Sequence, residues 1–149
     1  MSVTDTIASV LSQKPRDICS IAPDASVYEA LELMAERGIG ALLVMTGRSL
    51  VGLISERDYA RKIILQGKSS RETRVTDIMS SPVVTATLQD RVDGCMRLMT
   101  ESRIRHLPVL VDGNVVGVIS IGDLVRHTIT VQEATIQHLN AYIASGYGA

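Results

Sequence analysis

Two short stretches of the chain place a serine and an aspartate three residues apart, directly after a run of aliphatic residues. The first is GLISERD, with Ser55 and Asp58, and the second is GVISIGD, with Ser120 and Asp123. A serine hydroxyl both donates and accepts hydrogen bonds, whereas an ionised carboxylate only accepts and can take hydrogen bonds from two neighbouring hydroxyls. Each pair therefore suits a ligand that carries a diol, such as a sugar.

A second interpretation of these pairs needs no ligand. Ser and Asp are among the residues that most often cap the N-terminus of a helix, so all four could be caps and nothing more. Capping requires only one such residue per helix, however, and we do not expect it to produce a repeated pair at a fixed spacing. We therefore favour ligand binding, with the free N–H groups and partial positive charge of a helix N-terminus attracting an anion.

Basic residues close to both pairs are candidates for binding a phosphate. Arg57 precedes Asp58, and Arg105 and His106 lie where the second hairpin begins. Phosphate oxygens need hydrogen-bond donors, and charged donors bind them most strongly. For His106 the alternative is an ordinary surface or half-buried imidazole that binds no ligand.

The two pairs belong to a longer internal repeat. When the chain is shifted by 65 positions, residues 27–61 align with residues 92–126 without a gap, and 13 positions are identical. The tripeptide VTD also recurs, at 3–5 and 75–77, but 72 positions apart, which predicts about seven extra residues at the start of the first copy. One supersecondary unit is thus used twice.

The hydrophobic pattern of each copy predicts the same order of elements. A short strand at 18–21 precedes a helix that carries Val27, Ala30 and Met34 on one face and ends near Gly38. Two strands follow, joined by TGRS in the first copy and by DGN in the second, which is typical of a hairpin. The serine and aspartate then begin a second helix, giving β-α-β-β-α in each copy.

Composition and motifs exclude several classes of protein. Lys and Arg number 15 against 16 Asp and Glu, and only four aromatic residues are present, so we expect no nucleic-acid binding. No segment approaches about 18 uninterrupted apolar residues and no targeting sequence is evident, which predicts a cytoplasmic protein without a membrane span. The two cysteines lack the spacing of a metal site, and no catalytic motif occurs, so we expect neither a metal nor an enzyme.

These motifs resemble a tandem pair of cystathionine-β-synthase (CBS) domains, the arrangement called a Bateman module. The resemblance covers about residues 14 to 127 and rests on the repeated serine and aspartate after each hairpin, on DIMSSPV, and on RHLPV. ERDYARK and SIGDLV are similar to segments of stand-alone two-CBS proteins of bacteria and mitochondria. The resemblance implies an α/β (α+β) fold in which two β-α-β-β-α units pack through their sheets with pseudo-twofold symmetry. It also implies two clefts between the units, which in many members bind adenosine nucleotides.

The resemblance sets the expected domain bounds. We expect an N-terminal helix at 1–13, CBS domains at 14–66 and 75–128, a solvated basic linker at 67–74, and a C-terminal helix and tail at 129–149. Both terminal segments have apolar residues at helical spacing, namely Ile7, Val10 and Leu11, and Ile136, Leu139 and Ile143. They either cover the ends of the sheets or form dimer contacts, and we expect a homodimer.

The resemblance also implies which residues line each cleft, because in this family the serine and aspartate of one copy work with the first strand and hairpin mouth of the other. The expected residues of cleft A are Ile18, Cys19, Ser20, Ile39, Gly40, His106, Ser120, Ile121 and Asp123. The expected residues of cleft B are Ser55, Arg57, Asp58, Val83, Val84, Thr85, Ile104 and Arg105. Adenine is expected in an apolar slot formed by the strands at 18–20 and 83–85.

The two predicted clefts are not equivalent. The second copy has Arg105 and His106 where the first has Gly40 and Ala41, and Ile121-Gly122 replaces Glu56-Arg57. We therefore expect the clefts to differ in affinity or ligand, with AMP in one and a longer adenosine compound, such as ATP or NAD, in the other.

These inferences favour a regulatory module that binds AMP, ADP, ATP or NAD and signals to an unidentified protein, with no catalytic cofactor. Two alternatives stay open: an interaction dimer with non-functional clefts, and a nucleotide-processing enzyme.

Overall fold

The computed structural model describes residues 5–14 and 18–144. In chain order its helices and strands are α1 (Ile7–Leu11), β1 (Ser20–Ile21), α2 (Val27–Arg37), β2 (Ala41–Thr46), β3 (Ser49–Ser55), α3 (Glu56–Tyr59), α4 (Val75–Ile78), α5 (Val92–Ser102), β4 (His106–Val111), β5 (Asn114–Ser120) and α6 (Ile121–Tyr142). A π-helical segment, Ala60–Ile64, continues α3. The mixed α/β architecture with two small sheets confirms the predicted fold class.

The chain divides into two compact units that do not coincide with the two sequence repeats. Unit 1 comprises Met1–Pro15, Ala86–Leu107 and Ile119–Ala149, so it joins most of the second repeat to the N-terminal segment. Unit 2 comprises Arg16–Thr85 and Pro108–Val118, which is the first repeat with the segment that follows it and the tip of the second hairpin.

Unit 2 is built around a three-stranded sheet in the order β1-β2-β3. β1 runs parallel to β2, with Ser20 opposite Leu43, and β2 pairs antiparallel with β3. The hairpin between them turns at Gly47, whose φ of 60° lies in the left-handed region. Apolar residues of α2, the sheet, the π-helical segment and α4 form the core. This core comprises Val27, Ala30, Met34, Leu42, Val44, Ile54, Ile63, Val75 and Ile78.

The segment at 67–74 is bound to the N-terminus of α2. The backbone N–H groups of Val27 and Tyr28 donate to the carbonyls of Thr73 and Ser70, both at 2.9 Å. The third N–H of the helix, that of Glu29, donates to the Ser26 hydroxyl at 3.1 Å. These bonds satisfy helix donors that otherwise have no partner. The segment is largely exposed, as expected of a linker, but it also caps a helix of the first repeat.

The N-terminal segment has the same role in unit 1. The N–H of Val92 donates to the Asp5 carbonyl at 2.8 Å, and the N–H of Ile7 donates to the Asp90 carbonyl at 2.8 Å. Ile7, Val10 and Leu11 are buried, so α1 completes the core of its own unit, which favours a covering role over a dimer contact.

Hydrogen-bond register shows how the two opening segments correspond. In unit 2 the N–H of Val75 donates to the carbonyl of Ala25, and in unit 1 the N–H of Ile7 donates to the carbonyl of Asp90. Positions 25 and 90 are equivalent in the repeat, because they are 65 residues apart. Ile7 therefore corresponds to Val75, 68 positions on, and the alignment of the VTD tripeptides 72 positions apart is wrong. A shared tripeptide is a weaker guide to correspondence than paired backbone bonds. The first copy thus has three extra residues, 68 minus 65, instead of seven.

The second repeat departs from prediction in its first strand. Val83, Val84 and Thr85 form no strand, whereas Ser20 and Ile21 of the first repeat pair with β2. The run is only three residues long and follows Pro82, which has no N–H to donate to a neighbouring strand. The described part of the second repeat contributes a two-stranded sheet, β4-β5, whose turn at Asp112 and Gly113 has positive φ at both residues, as the DGN sequence predicts.

The expected separate C-terminal helix is a continuation of the second repeat. α6 spans Ile121–Tyr142 without interruption. No Gly or Pro occurs between Leu124 and Tyr142 to end it. The Thr128 and Thr130 hydroxyls donate to the carbonyls four residues earlier, at 2.8 and 2.9 Å, so they do not break the helix. None of the helices in the described ranges is long and apolar enough to span a membrane.

Candidate functional site

Both serine–aspartate pairs form reciprocal caps at the start of a helix. The N–H of Asp58 donates to the Ser55 hydroxyl at 3.2 Å, and the N–H of Ser55 donates to the Asp58 carboxylate at 3.0 Å. The corresponding distances for Ser120 and Asp123 are 3.1 and 2.9 Å. This is a capping box, which needs an acceptor side chain three residues after the serine. The expectation that capping leaves the spacing unexplained is therefore wrong, because the second acceptor serves the N–H of the cap residue.

The first N–H of each helix is also bound. Glu56 donates to the Gly40 carbonyl at 3.0 Å, and Ile121 donates to the Arg105 carbonyl at 2.8 Å. Because the serine hydroxyl accepts from the third N–H, the N-terminus of each helix has fewer free N–H donors than the sequence suggested. These bonds instead fix the beginning of each hairpin beside its capping box, so that Arg105 and His106 lie next to the Ser120–Asp123 pair within unit 1.

Asp123 is surrounded by cations. Lys14 Nζ lies 2.7 Å from its Oδ2, and the Arg126 guanidinium contacts its Oδ1. The Asp123 side chain is only 10% exposed. Burial raises the pKa of this carboxyl, but hydrogen bonds from Lys14 and Ser120 and the charge of Lys14 outweigh burial, so the pKa lies below its ordinary value. Asp123 is an anionic acceptor at neutral pH.

Asp58 has a simpler environment. Its carboxylate lies 3.2 Å from Lys62 Nζ, one turn along the chain, and also accepts from the Ser55 hydroxyl at 3.1 Å. Lys62 in turn donates to the Ile78 carbonyl at 2.8 Å, which ties it to the end of α4. The Asp58 side chain is 14% exposed. Both carboxylates are thus held by a cap and by a lysine.

His106 is half-buried beside the Asp123 cluster. Burial lowers the pKa of its imidazole, the charges of Lys14 and Arg105 lower it further, and the carboxylate of Asp123 opposes this shift. The imidazole is therefore neutral at pH 7 and offers one N–H donor. The sequence predicted that His106 would supply positive charge to a phosphate. That charge must instead come from the neighbouring Lys14 and Arg105.

The remaining predicted residues are distributed over both units. In unit 2, Cys19 lies beside β2, and its carbonyl accepts from the N–H of Leu43 at 3.2 Å. Gly40 of the same unit lies close to the Glu56 side chain. Ile18 and Val84 are exposed, as are Ser20 and Arg57. Unit 1 holds Ile104, Arg105, His106, Ser120, Ile121 and Asp123. Because clefts A and B each draw on both units, their joint composition stays a prediction.

The two cysteines are free thiols, Cys95 buried and Cys19 half-buried. Burial raises the pKa of the Cys95 thiol to about 11, and the charges of Asp90 and Asp93 add to this shift. Within residues 5–14 and 18–144, no group of three or more His, Cys, Asp or Glu side chains could hold a metal ion.

Three basic residues of the two sites were missed by sequence reasoning. Lys62 and Arg126 lie four and three residues after their aspartates, a helical spacing that indicates contact and could have been used. Lys14 lies 109 residues from Asp123, and no local pattern signals that pairing.

Comparison with known proteins places this architecture in a family. The CBS domain family model matches residues 9–65 and 75–129. The CBS domain-containing protein CBSX3, mitochondrial, of Arabidopsis thaliana is 45% identical over 129 residues, which are 83% of this chain and 63% of that protein. The chain thus spans less than two thirds of this relative.

Solved structures agree with the family match. A putative signal-transduction protein with CBS domains from Burkholderia ambifaria is 50% identical with a TM-score of 0.82, over 84% of this chain and 94% of that one. CBSX2 in complex with AMP is 26% identical with a TM-score of 0.69, over 86% of this chain and 98% of that one. The chain belongs to the CBS domain family and carries two CBS domains in tandem.

Proposed function

We propose that this chain is a regulatory module that binds an adenosine nucleotide and transmits its occupancy to a partner protein. The observation that carries this proposal is the pair of largely buried carboxylates, Asp58 and Asp123, each fixed by a capping box and paired with a lysine. Fixed acceptors of this kind suit the two hydroxyls of a ribose. The AMP bound by the related CBSX2 supports a ligand of this class.

The charges around Asp123 suit a ligand with a phosphate. Lys14, Arg105 and Arg126 are cations, and Asp123 is the acid among them. A nucleotide phosphate can accept from these cations and from the neutral His106 imidazole, while the ribose hydroxyls donate to the carboxylate. The adenine slot at 18–20 and 83–85 and the remaining residues of clefts A and B are part of this proposal. So is a difference between the sites, with AMP in one and ATP or NAD in the other.

Helix α6 provides a route from the ligand to a partner. Its first turn holds the Ser120–Asp123 capping box, and its last turns expose a row of apolar residues. A ligand that binds Asp123 acts directly on the start of the helix whose far end is exposed. A partner that prefers one position of α6 would then respond to occupancy of the site.

The exposed row on α6 also supports a second function, that of an interaction protein. Ile129, Ile136, Leu139 and Ile143 recur at helical spacing, and Leu139 is 57% exposed. A second copy of the chain could bury this row, so we propose a homodimer through α6. In the absence of nucleotide binding, this surface would be the functional part of the molecule.

A thermal-shift screen with AMP, ADP, ATP, NAD, GTP and S-adenosylmethionine tests the proposal. A ligand at 100 times its dissociation constant should stabilise the protein by about 2.7 kcal/mol. Asp58→Ala and Asp123→Ala should each remove part of the shift, whereas Asp112→Asn should leave it intact, since Asp112 is exposed at the hairpin turn. No shift with any compound would favour the interaction protein, and release of a product would favour a nucleotide-processing enzyme.

A further inference from the structure

Helix α6 has two separate apolar faces, and only one of them packs against the rest of unit 1. Leu124 and His127 are buried on the first face, and the Thr128 hydroxyl lies 3.9 Å from Met96 Sδ of α5. The second face is aliphatic but 40 to 61% exposed, and its members are Val125, Ile129, Ile136, Leu139 and Ile143. At 3.6 residues per turn the two faces point about 100° apart. The contact with unit 1 therefore leaves the second face uncovered.

The exposed face has the spacing of a heptad repeat. Steps of four, three, four, three and four residues lead from position 125 to position 143. These are the a and d positions of a coiled coil, in which each side chain fits between four residues of a facing helix. The a positions are Ile129, Ile136 and Ile143, and the d positions are Val125, Gln132 and Leu139. We call these six residues the seam.

The composition of the seam suits a second copy of the same helix. Isoleucine at a together with leucine at d is a combination that favours two strands in parallel coiled coils. The seam runs for about 27 Å along the helix, and a contiguous apolar patch of this kind marks an interaction site on a protein surface. Because α6 is already helical as far as Tyr142, the contact does not have to order a free segment.

Gln132 distinguishes the two possible directions of the second helix. In a parallel pair in register, each seam residue meets its own counterpart, so the two Gln132 amides face each other and can exchange a hydrogen bond. In a fully overlapping antiparallel pair, positions a and d face each other, and Gln132 meets Ile136 of the second copy. That arrangement buries an amide without a partner, which is costly. Gln132 therefore favours the parallel direction.

The charge beside the seam favours the same direction. Glu133 lies at an e position, directly after Gln132. An antiparallel pair would place Glu133 across from Glu133 of the second copy, where like charges repel each other. In the parallel pair, Glu133 comes opposite Thr128 of the second copy, which carries no charge.

We propose that two copies of the chain pair through α6 as a parallel, two-stranded coiled coil, with the Gln132 layer fixing its register. This inference rests on the proposed homodimer and adds its direction and register. Parallel pairing brings the two Ser120–Asp123 capping boxes to the same end of the seam. Both copies of this proposed ligand site would then act on one pair of helices.

Single cysteines introduced into the full chain test the direction of pairing. Leu139→Cys and, separately, Ile129→Cys each place a thiol where it meets its own counterpart only in the parallel pair. Under mild oxidation each variant should form a disulfide-linked dimer about tenfold faster than Gln137→Cys, whose thiol lies on the polar face of α6. Non-reducing electrophoresis measures the rates, and the wild-type protein, with Cys19 and Cys95, gives the background.

A mixture of the Ile129→Cys and Leu139→Cys proteins separates the alternatives. A parallel pair should give only 129–129 and 139–139 bonds, which peptide mass spectrometry identifies. A 129–139 bond as the main product would overturn the parallel direction alone. A dimeric mass by light scattering without any of these bonds would overturn α6 as the contact. A monomeric mass would overturn the proposed homodimer, and this inference with it.

The register has a test of its own. Gln132→Leu should lower the dissociation constant of the dimer about tenfold, since a polar residue in a seam costs stability. Sedimentation equilibrium measures this constant, with Gln137→Leu on the polar face as the matched control that should leave it unchanged. An unchanged or weaker dimer in Gln132→Leu would show that residue 132 lies outside the seam and would overturn the register.

Discussion

The two capping boxes share residue types and spacing but obtain their cations from different parts of the chain. Asp58 is paired with Lys62 of its own helical segment, whereas Asp123 is paired with Arg126 and with Lys14, which is 109 residues away. The cap itself depends only on four consecutive residues, so duplication preserves it. The surroundings depend on which distant segment packs nearby, and there the copies differ.

A second difference lies at positions 62 and 127, which are equivalent in the repeat. Lys62 donates to the carbonyl of Ile78, while His127 Nε2 lies 2.7 Å from the Asp5 carboxylate. In each unit the side chain ties the second helix of a repeat to the short segment that opens the other repeat. His127 is only 8% exposed, so the second copy has buried a contact that the first keeps nearer the surface.

Substitution at these equivalent positions should have the largest effect on stability. His127→Ala removes a buried side chain and leaves Asp5 without its imidazole partner, and we expect a loss of about 3 kcal/mol. Lys62→Ala should cost below about 1 kcal/mol, because the ammonium is partly solvated. Urea unfolding followed by circular dichroism measures both values, with the exposed His138→Ala as a control. Equal losses of unfolding free energy in Lys62→Ala and His127→Ala would contradict this difference between the copies.

The capping aspartates should come next. Asp123→Ala loses a cap and two ion pairs around a largely buried carboxylate, for about 2 kcal/mol, whereas Asp58→Ala should lose about 1 kcal/mol. Each should also weaken nucleotide binding at one site. Thermal unfolding together with titration calorimetry separates the two effects. If the loss of stability of each variant fully accounts for its loss of nucleotide affinity, capping is the sole role of these aspartates.

The pH dependence of stability should distinguish the copies further. The pKa of folded Asp123 lies below its ordinary value of 3.8, so its contribution is complete above that value and is lost as pH falls through the folded pKa. The pKa of folded His106 lies below 6.5, so stability should also fall as pH drops from 6.5 through the folded pKa. Unfolding measured from pH 2 to 8 for wild type, Asp123→Asn and His106→Gln checks both. His106→Gln should flatten the window below pH 6.5, whereas Asp123→Asn should flatten the window below pH 3.8 and deepen the loss below pH 6.5, because the Asp123 charge no longer supports the imidazolium.

The smallest effect on stability should come from the exposed end of α6. The first repeat ends its second helix at Ile64, whereas α6 continues to Tyr142 and exposes Leu139. Leu139→Ser should change the stability of the unit by less than about 0.5 kcal/mol but convert a dimer to a monomer. Light scattering gives the mass of each form. A monomeric wild type, or a dimeric variant, would contradict the proposed contact.

Local patterns correctly predicted the helices and hairpins of both copies. The face of α2 that carries Val27, Ala30 and Met34 is buried, and the DGN turn has the positive φ values expected at Asp112 and Gly113. Both features depend on neighbours within a few residues, where spacing and backbone preference decide the conformation. The helices that begin at the two serines were likewise predicted, although the capping box that explains the spacing was not.

The failures share a different physical origin. The VTD alignment, the strand at 83–85 and the separate C-terminal helix were inferred from local similarity, whereas each outcome depends on pairing or continuity over a longer range. Whether residues 83–85 form a strand depends on a partner for their backbone, which composition does not reveal. Helix α1 opens the first repeat but its segment is bonded to the second, and α4 opens the second repeat but its segment is bonded to the first. These contacts are likewise fixed by hydrogen bonds between distant segments.

The amino-acid sequence by itself determined the helix, hairpin and second helix that both copies share, the hairpin turns and the two serine–aspartate caps, because each follows from interactions within a few residues. Only the tertiary structure decided that Lys14 rather than a helical neighbour occupies Asp123 Oδ2, that His127 is buried against Asp5, and that burial lowers the pKa of His106. Charge pairing and burial depend on which distant segments meet. The properties that distinguish the two sites therefore arise from folding and not from the repeat.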